Sequence, residues 1–294
     1  MIQRFNFYDV YGYLIPGLAI VALLWLPSAV ITHTWQNEKL EWLAVAAAVA
    51  YIIGHVIQNL GANAVSAKVV KNVDGKASYP STAMLDPEDR HLDPDIKQRV
   101  QGNVFSWFGI DVAIAQKADG PIAKRRSAAF SLCRPIVNAR TAYAEQYEGL
   151  YTMSRGLFIA FLLGASYMAG WAAACSRLPS VLQLAYSVMI LTLLALIVLS
   201  IARGFSSDTG SRQALDTLIL GGIGTILLSA GIFAGRYVAA GLLDDNVMRL
   251  FCAAVAVCVI VALRFLLLYR YFAEQFTKAV WVNFAAEPTQ RGAT

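Results

Sequence analysis

Hydrophobic residues along the chain fall into six long runs, separated by short polar segments and by one long polar stretch. Two runs lie near 10–32 and 41–60, and four more follow within 156–271. Each run has about the 20 residues that an α-helix needs to cross a hydrocarbon core roughly 30 Å thick. The pattern therefore predicts an all-α membrane protein with about six transmembrane helices, arranged as two helices, a polar insert and four helices.

The same pattern divides the chain into four regions. We expect a two-helix transmembrane hairpin over 1–61, a helical insert over 62–155, a four-helix transmembrane region over 156–271 and a C-terminal tail over 272–294. The insert is the region long enough to fold as a separate small domain.

The insert contains signals of helix starts and ends. Asp93 followed by Pro94 predicts an N-cap with proline at the first helical position, and Gly109 predicts the end of that helix. A second helix is expected to end before Pro135, because the residue that precedes a proline disfavours α geometry. Beyond Pro135, little in the sequence forces a break until about Cys175.

The distribution of charge predicts the orientation of the chain in the membrane. The insert carries thirteen of the 24 Lys and Arg residues and ten of the 19 acidic residues, whereas the loop 33–41 has one Lys against two Glu. Lys and Arg are enriched in cytoplasmic segments beside transmembrane ends. We therefore expect the insert and both termini in the cytoplasm.

Composition excludes several classes of protein. The 294 residues are 57% hydrophobic and 15% charged, whereas soluble domains have about 45–50% apolar and 25% charged residues. The net charge of +5 is not gathered into a basic stripe with stacking aromatics, so we expect no nucleic-acid partner. The four cysteines fit no zinc pattern, and no Walker A, HExxH, GxSxG or GxGxxG motif occurs. The sequence predicts no enzyme activity, no cofactor and no metal site.

The second apolar run contains four polar residues, His55, Gln58, Asn59 and Asn63. On a helix, positions 55, 59 and 63 fall within a sector of about 80°, and Gln58 widens it. Polar side chains in hydrocarbon normally face protein or water. Two interpretations stay open: this face lines a pore or ion path, or it makes hydrogen bonds between helices near the cytoplasmic interface.

The fifth apolar run has the best candidate face for helix packing. Gly221, Thr225 and Ser229 follow a small-xxx-small spacing, and Gly231 with Gly235 forms a GxxxG pair. Small residues let helix backbones approach closely in lipid. The run predicts helix association within the chain or between chains, and we expect a homo-oligomer.

The insert holds the candidate anion contact, Lys124, Arg125 and Arg126. These residues could bind anionic headgroups or a nucleotide phosphate, although the cytoplasmic charge bias also accounts for them. The acidic stretch 86–95 around His91 matches no EF-hand loop, and we expect it to be a solvated turn.

Three segments carry a resemblance to known proteins: 7–17 (FYDVYGYLIPG), 131–134 (SLCR) and 147–151 (YEGLY). They are similar to segments of poorly characterised bacterial multi-pass inner-membrane proteins. Some proteins of this kind are thought to act in anti-phage defence, as effectors that disturb the inner membrane. The resemblance implies a membrane effector, and it carries no catalytic residues over to this chain.

These observations lead to a functional hypothesis with two alternatives. The hypothesis is an oligomeric inner-membrane protein whose insert binds a cytosolic protein or small signalling ligand and which alters membrane permeability. The first alternative is a non-catalytic membrane scaffold that recruits a cytosolic partner. A transporter is a weaker alternative, because the runs do not divide into the paired repeats common in transporters.

Overall fold

The computed structural model describes residues 9–32, 40–65, 70–71, 77–175, 179–205, 209–238 and 245–288. In chain order the elements are a π-helical turn (Val10–Leu14), α1 (Ile15–Thr32), α2 (Leu40–Ala64), β1 (Val70–Lys71), β2 (Ala77–Ser78), α3 (Pro80–Ala83), α4 (Pro94–Phe108), α5 (Gly120–Arg140), α6 (Ala142–Ala174), α7 (Pro179–Phe205), α8 (Thr209–Val238) and α9 (Asp245–Ala285). The two short strands form an antiparallel pair, with Val70 opposite Ser78.

Six helices are long and apolar enough to cross a membrane. They are α1 with its π-helical turn, α2, α6, α7, α8 and α9. The prediction of a helical, multi-pass membrane protein is therefore confirmed. At 33 and 41 residues, α6 and α9 are much longer than the roughly 20 residues that a crossing requires.

The first predicted helix of the insert forms as expected. Asp93 is the N-cap of α4, where its carboxylate accepts a hydrogen bond from the Asp95 N–H at 2.9 Å, and Pro94 opens the helix. Gly109 ends the helix with a φ of 67°, a left-handed conformation that glycine adopts without a steric penalty.

The predicted end of the second insert helix before Pro135 is wrong. Helix α5 continues through Pro135 to Arg140, and the chain becomes extended at Thr141 before α6 begins. A proline in a helix leaves the carbonyl four residues earlier without its usual donor. Pro135 and Ser131 both lie on the exposed face of α5, so water can bond the Ser131 carbonyl and the helix persists.

The chain forms two compact units. The membrane unit comprises Met1–Val65 and Thr152–Leu267, and the insert unit comprises Ser66–Tyr151 and Leu268–Thr294. The chain passes from one unit to the other within α6, between Tyr151 and Thr152, and again within α9, between Leu267 and Leu268. Each of these two helices therefore contributes residues to both units.

In the membrane unit, α1 and α2 cross at two glycines. A Cβ added at Gly17 would lie 1.7 Å from the carbonyl oxygen of Ala50, and one added at Gly54 would lie 1.9 Å from that of Tyr13. Any larger residue at either position would clash with backbone atoms. The two glycines therefore set the close approach of these helices, as expected for helix packing in lipid.

The core of the insert unit combines α4 and α5 with the C-terminal part of α9. Fully buried members of this core include Val100, Val104, Ala129, Cys133, Val280, Trp281 and Phe284. The stretch 272–294, which the sequence pattern separates as a tail, thus supplies part of the hydrophobic core of the insert unit.

A buried asparagine holds the end of α9 in this unit. The Asn103 amide, which is 4% exposed, donates hydrogen bonds to the carbonyl oxygens of Phe284 at 3.0 Å and Glu287 at 2.9 Å. The last carbonyls of a helix have no partner within the helix. Asn103 therefore acts as a C-cap supplied by another element, and Arg140 adds an ion pair to Glu287.

We expect Asn103→Ala to lower the free energy of unfolding of the insert unit by roughly 2 kcal/mol, because it removes the hydrogen bonds that the amide donates to the carbonyl oxygens of Phe284 and Glu287. Pulse proteolysis in urea on the detergent-solubilised protein measures the change. Gln98→Ala, at an exposed position of the same helix, is the matched control. Equal urea midpoints for the two variants would contradict the capping role.

Candidate functional site

The polar residues of α2 do not share one environment. Gln58 is 4% exposed, whereas His55 and Asn59 lie on the outer surface of the membrane unit. The side chain of Asn63 lies outside the described part of the structure. The split follows from helix geometry, because Gln58 is about 100° around the helix from Asn59. Of the two interpretations that the sequence left open, Gln58 therefore fits the one in which the side chain makes hydrogen bonds between helices.

Gln58 forms the centre of a junction among three helical segments. Its Nε2 donates to the carbonyl oxygens of Gly12 and Thr152, both at 2.7 Å. Its Oε1 accepts from Arg155 Nε at 3.2 Å and Nη2 at 3.0 Å. The side-chain amide therefore links α2 to the π-helical turn before α1 and to α6.

The Gly12 carbonyl needs this donor because of Pro16. Proline has no N–H, so the carbonyl four residues before it loses its usual helical partner. The chain widens there into the π-helical turn, in which the Ile15 N–H bonds the Val10 carbonyl. Gly156 makes the approach of Gln58 possible, because a Cβ at that position would lie 2.4 Å from its Nε2.

A second polar cluster lies beside the next residue of α2. Arg203 of α7 forms an ion pair with Asp216 of α8, with Nε and Oδ1 2.5 Å apart, and the Asp216 side chain is fully buried. Arg203 also donates from Nη2 to Asn59 Oδ1 at 3.1 Å. The sequence analysis did not predict this pair. A signal for it was present, because one apolar helix ends near an arginine and the next begins near an aspartate.

His55 takes part in an aromatic cluster with Tyr13 and Tyr51. The imidazole stacks on the Tyr13 ring with centroids 3.7 Å apart and meets Tyr51 edge-on at 4.5 Å. Its Nδ1 lies 3.0 Å from the Tyr51 carbonyl oxygen, a hydrogen bond that requires the proton on Nδ1. The ring itself remains exposed on the surface of the membrane unit.

The small residues of α8 have two different roles. Gly231 packs on α6, where an added Cβ would lie 2.3 Å from the Tyr167 carbonyl oxygen, and Gly235 would meet Ala174 at 2.7 Å. Ser229 is buried at 1% exposure. Gly221 and Thr225 instead line a partly open cavity of the membrane unit. The predicted packing face is thus closed at one end and open at the other.

The basic triplet of the insert is not a single anion contact. Lys124 and Arg125 are exposed, but Arg126 is fully buried and paired with Asp86 at 2.6 Å. Its remaining N–H groups donate to the carbonyl oxygens of Thr82, Val112, Ala113 and Gln116. The prediction of an anion contact at Arg126 is therefore wrong, because all five of its donors already have partners.

The acidic stretch around His91 is also less solvated than predicted. Asp86 is 3% exposed and accepts bonds from Arg126 and from the Ala118 N–H. Nearby, Lys97 Nζ donates to the carbonyl oxygens of Asp86 and Asp89 at 2.6 Å. Burial lowers the pKa of Lys97 below its usual value, against the opposing effect of the Asp89 and Asp86 charges. Among the described residues, no group of three or more His, Cys, Asp or Glu side chains is placed to hold a metal.

Comparisons of this chain with protein-family models, with curated proteins and with solved structures found no match.

We expect Gln58→Leu to destabilise the membrane unit by roughly 2 kcal/mol, since it removes four contacts that average about 0.6 kcal/mol each in membranes. The thermal midpoint in detergent measures the effect. The control is Ile52→Ala, at a 65% exposed position of the same helix. A midpoint no lower than that of the control would contradict the junction.

We expect Arg126→Ala to cost about 3–5 kcal/mol, because it leaves the buried Asp86 carboxylate unpaired. Arg125→Ala, one residue away and exposed, should change stability by less than about 0.5 kcal/mol. Pulse proteolysis of the two variants in detergent compares them directly. Similar losses in both would show that burial of Arg126 does not stabilise the insert unit.

Proposed function

We propose that this chain is an oligomeric inner-membrane protein that alters membrane permeability when its insert senses a signal or partner in the cytoplasm. In this proposal the helices cross the membrane as a hairpin and a group of four, with the insert between the second and third crossings and both termini in the cytoplasm. The exposed basic residues Lys124, Arg125 and Arg140 of the insert unit support the cytoplasmic location. The protein acts without catalysis or a cofactor.

The observation that carries the proposal is the exposure of His55 and Asn59 on a helix whose other described exposed side chains are apolar. Lipid chains offer no hydrogen bonds to such groups. Association of several copies places this surface against protein or water. Gln58 is buried between helices, whereas His55 and Asn59 are exposed, so the polar surface that other copies can reach is the one that contains His55 and Asn59.

Two long helices provide a route from sensing to permeability. Helices α6 and α9 are continuous between residues of the insert unit and residues of the membrane unit. A helix transmits displacement along its axis because its hydrogen bonds are all internal. A ligand or partner that binds the insert unit more tightly in one position of these helices therefore biases the conformation of the membrane unit.

The resemblance of residues 7–17 to poorly characterised bacterial multi-pass inner-membrane proteins, some of which are thought to act in anti-phage defence, supports the same function. This segment includes Gly12 and Pro16, which create the junction with Gln58. In the proposed effector, the segment fixes the helices that present the polar surface of α2.

Reconstitution tests the proposal. Proteoliposomes that contain the wild-type protein should release a small entrapped dye, and cells that produce it should depolarise when a voltage-sensitive dye is present. The double variant His55→Ala with Asn59→Ala should lose most of both signals, because the polar surface is removed.

The control for this experiment is Ile52→Ala with Val56→Ala, two exposed apolar positions of α2, which should retain the signals. Loss of signal in both double variants would indicate a general defect of α2. An absence of leakage and depolarisation for the wild type under every triggering condition would reject the effector function.

A scaffold is the second candidate, and one feature favours it. Phe105 projects from α4 at 61% exposure, between Gly102 and Gly109, where an added Cβ would meet no described atom within 4 Å. A partner could bury this ring. If the protein is a scaffold, Phe105→Ser abolishes cellular activity, while the double variant His55→Ala with Asn59→Ala retains it. If the protein is an effector, the double variant loses activity.

A further inference from the structure

A cavity in the membrane unit has no assigned role. It has a volume of about 530 Å³ and lies between α6 and α8, with Val65 at one end. Residues that form its walls include Phe158, Leu162, Ser166, Leu220, Gly221 and Thr225. The volume is within the 300–1,000 Å³ range of ligand sites.

The chemistry of the walls selects an apolar occupant. Ser166 Oγ donates to its own helix at the Leu162 carbonyl, at 3.3 Å, and Thr225 Oγ1 donates to the Gly221 carbonyl at 3.0 Å. Their hydroxyl protons are therefore already used. The remaining wall is mostly aliphatic and aromatic, so hydrocarbon is better matched to this cavity than a polar ligand.

The size of the cavity argues against another helix. The α8 residues that line it run from Thr217 to Leu228, about 17 Å at 1.5 Å per residue. A volume of 530 Å³ over that length gives a mean cross-section of roughly 30 Å². A helix about 10 Å wide needs roughly 80 Å², whereas a hydrocarbon chain is only about 4 Å wide, given the contact distance of carbon atoms.

The position of the cavity suits a lipid. One end lies at Val65 and Thr217, close to where the apolar spans Leu43–Ala62 and Ala214–Val238 end. A lipid chain inside the cavity would thus reach the edge of the apolar spans, and the headgroup of that lipid would lie in water. At Gly221 an added Cβ would meet no described atom within 4 Å, so the space beside this wall residue is open.

We infer that this cavity holds the acyl chains of one bilayer phospholipid. The lipid fills the open end of the α8 face, while Gly231 and Gly235 close the other end against α6. This inference requires only that the unit is embedded in a membrane, and it does not depend on the proposed effect on permeability.

Lipid retention and photolabelling test the inference. The full-length protein is reconstituted in phosphatidylethanolamine and phosphatidylglycerol vesicles that contain a phospholipid with a diazirine on its acyl chain. After photolysis we expect adducts on the cavity residues of α6 and α8. After detergent exchange, native mass spectrometry should detect about one retained phospholipid per chain.

Gly221→Leu fills the cavity, so it should lower both cavity labelling and retention several-fold. Ala195→Leu adds the same side chain at an exposed position of α7 and should change neither. Thr225→Leu is a second variant at the cavity wall, to be used if Gly221→Leu lowers the yield of folded protein.

Three results would overturn the inference: unchanged retention in both cavity variants, retention of free fatty acid alone, or disulfide cross-linking of copies through Gly221→Cys without labelling of the cavity. None of them bears on dye release, so a failure here leaves the proposed function to be judged by its own experiment.

Discussion

A proline in an apolar helix imposes the constraint around which the membrane unit is arranged. Pro16 removes the partner of the Gly12 carbonyl, and in hydrocarbon no water replaces it. The Gln58 amide supplies the missing donor at 2.7 Å. Because the same amide also bonds the Thr152 carbonyl and Arg155, the solution to one local problem fixes three helical segments relative to each other.

The neighbouring residue of α2 extends this arrangement to two more helices. Asn59 bonds Arg203 of α7, and Arg203 is paired with the buried Asp216 of α8. The rest of the unit associates differently, through glycines such as Gly17 and Gly54 that bring backbones together. Directional polar contacts therefore gather near the C-terminal end of α2, whereas close contact of backbones at glycines packs α1 against α2 farther along the helix.

The sequence was sufficient for features that depend on local pattern. Six apolar runs gave six long helices, and the Asp93, Pro94 and Gly109 signals gave the bounds of α4. These signals are strong because both are local: a transmembrane run is read from about 20 consecutive residues, and a helix cap from only a few. The freed carbonyl at Gly12 could also be anticipated from Pro16, but its donor could not, since Gln58 is 46 residues away.

Features that depend on distant partners escaped the sequence. Arg126 looked like part of a surface cluster, yet it donates to five acceptors, which lie in α3, in the segment after α3 and in the loop between α4 and α5. Pro135 looked like a helix end, but its exposure lets α5 continue. The C-terminal part of α9 looked like a tail because hydropathy does not reveal that Trp281 and Phe284 pack in the same core as Val100 and Val104, which lie some 180 residues earlier in the chain.

That core has a consequence for the order of events during synthesis. The ribosome completes residues 66–151 long before it reaches Phe284, and residues 152–267 must be made in between. At the usual 5–20 residues per second this interval lasts roughly 6–23 s. During that time the early part of the insert lacks Val280, Trp281 and Phe284 and presents uncovered apolar surface while the later apolar helices are produced. Most of the insert unit is thus synthesised before the last four long helices are complete. Its hydrophobic core nevertheless cannot be completed until the end of α9 has been synthesised.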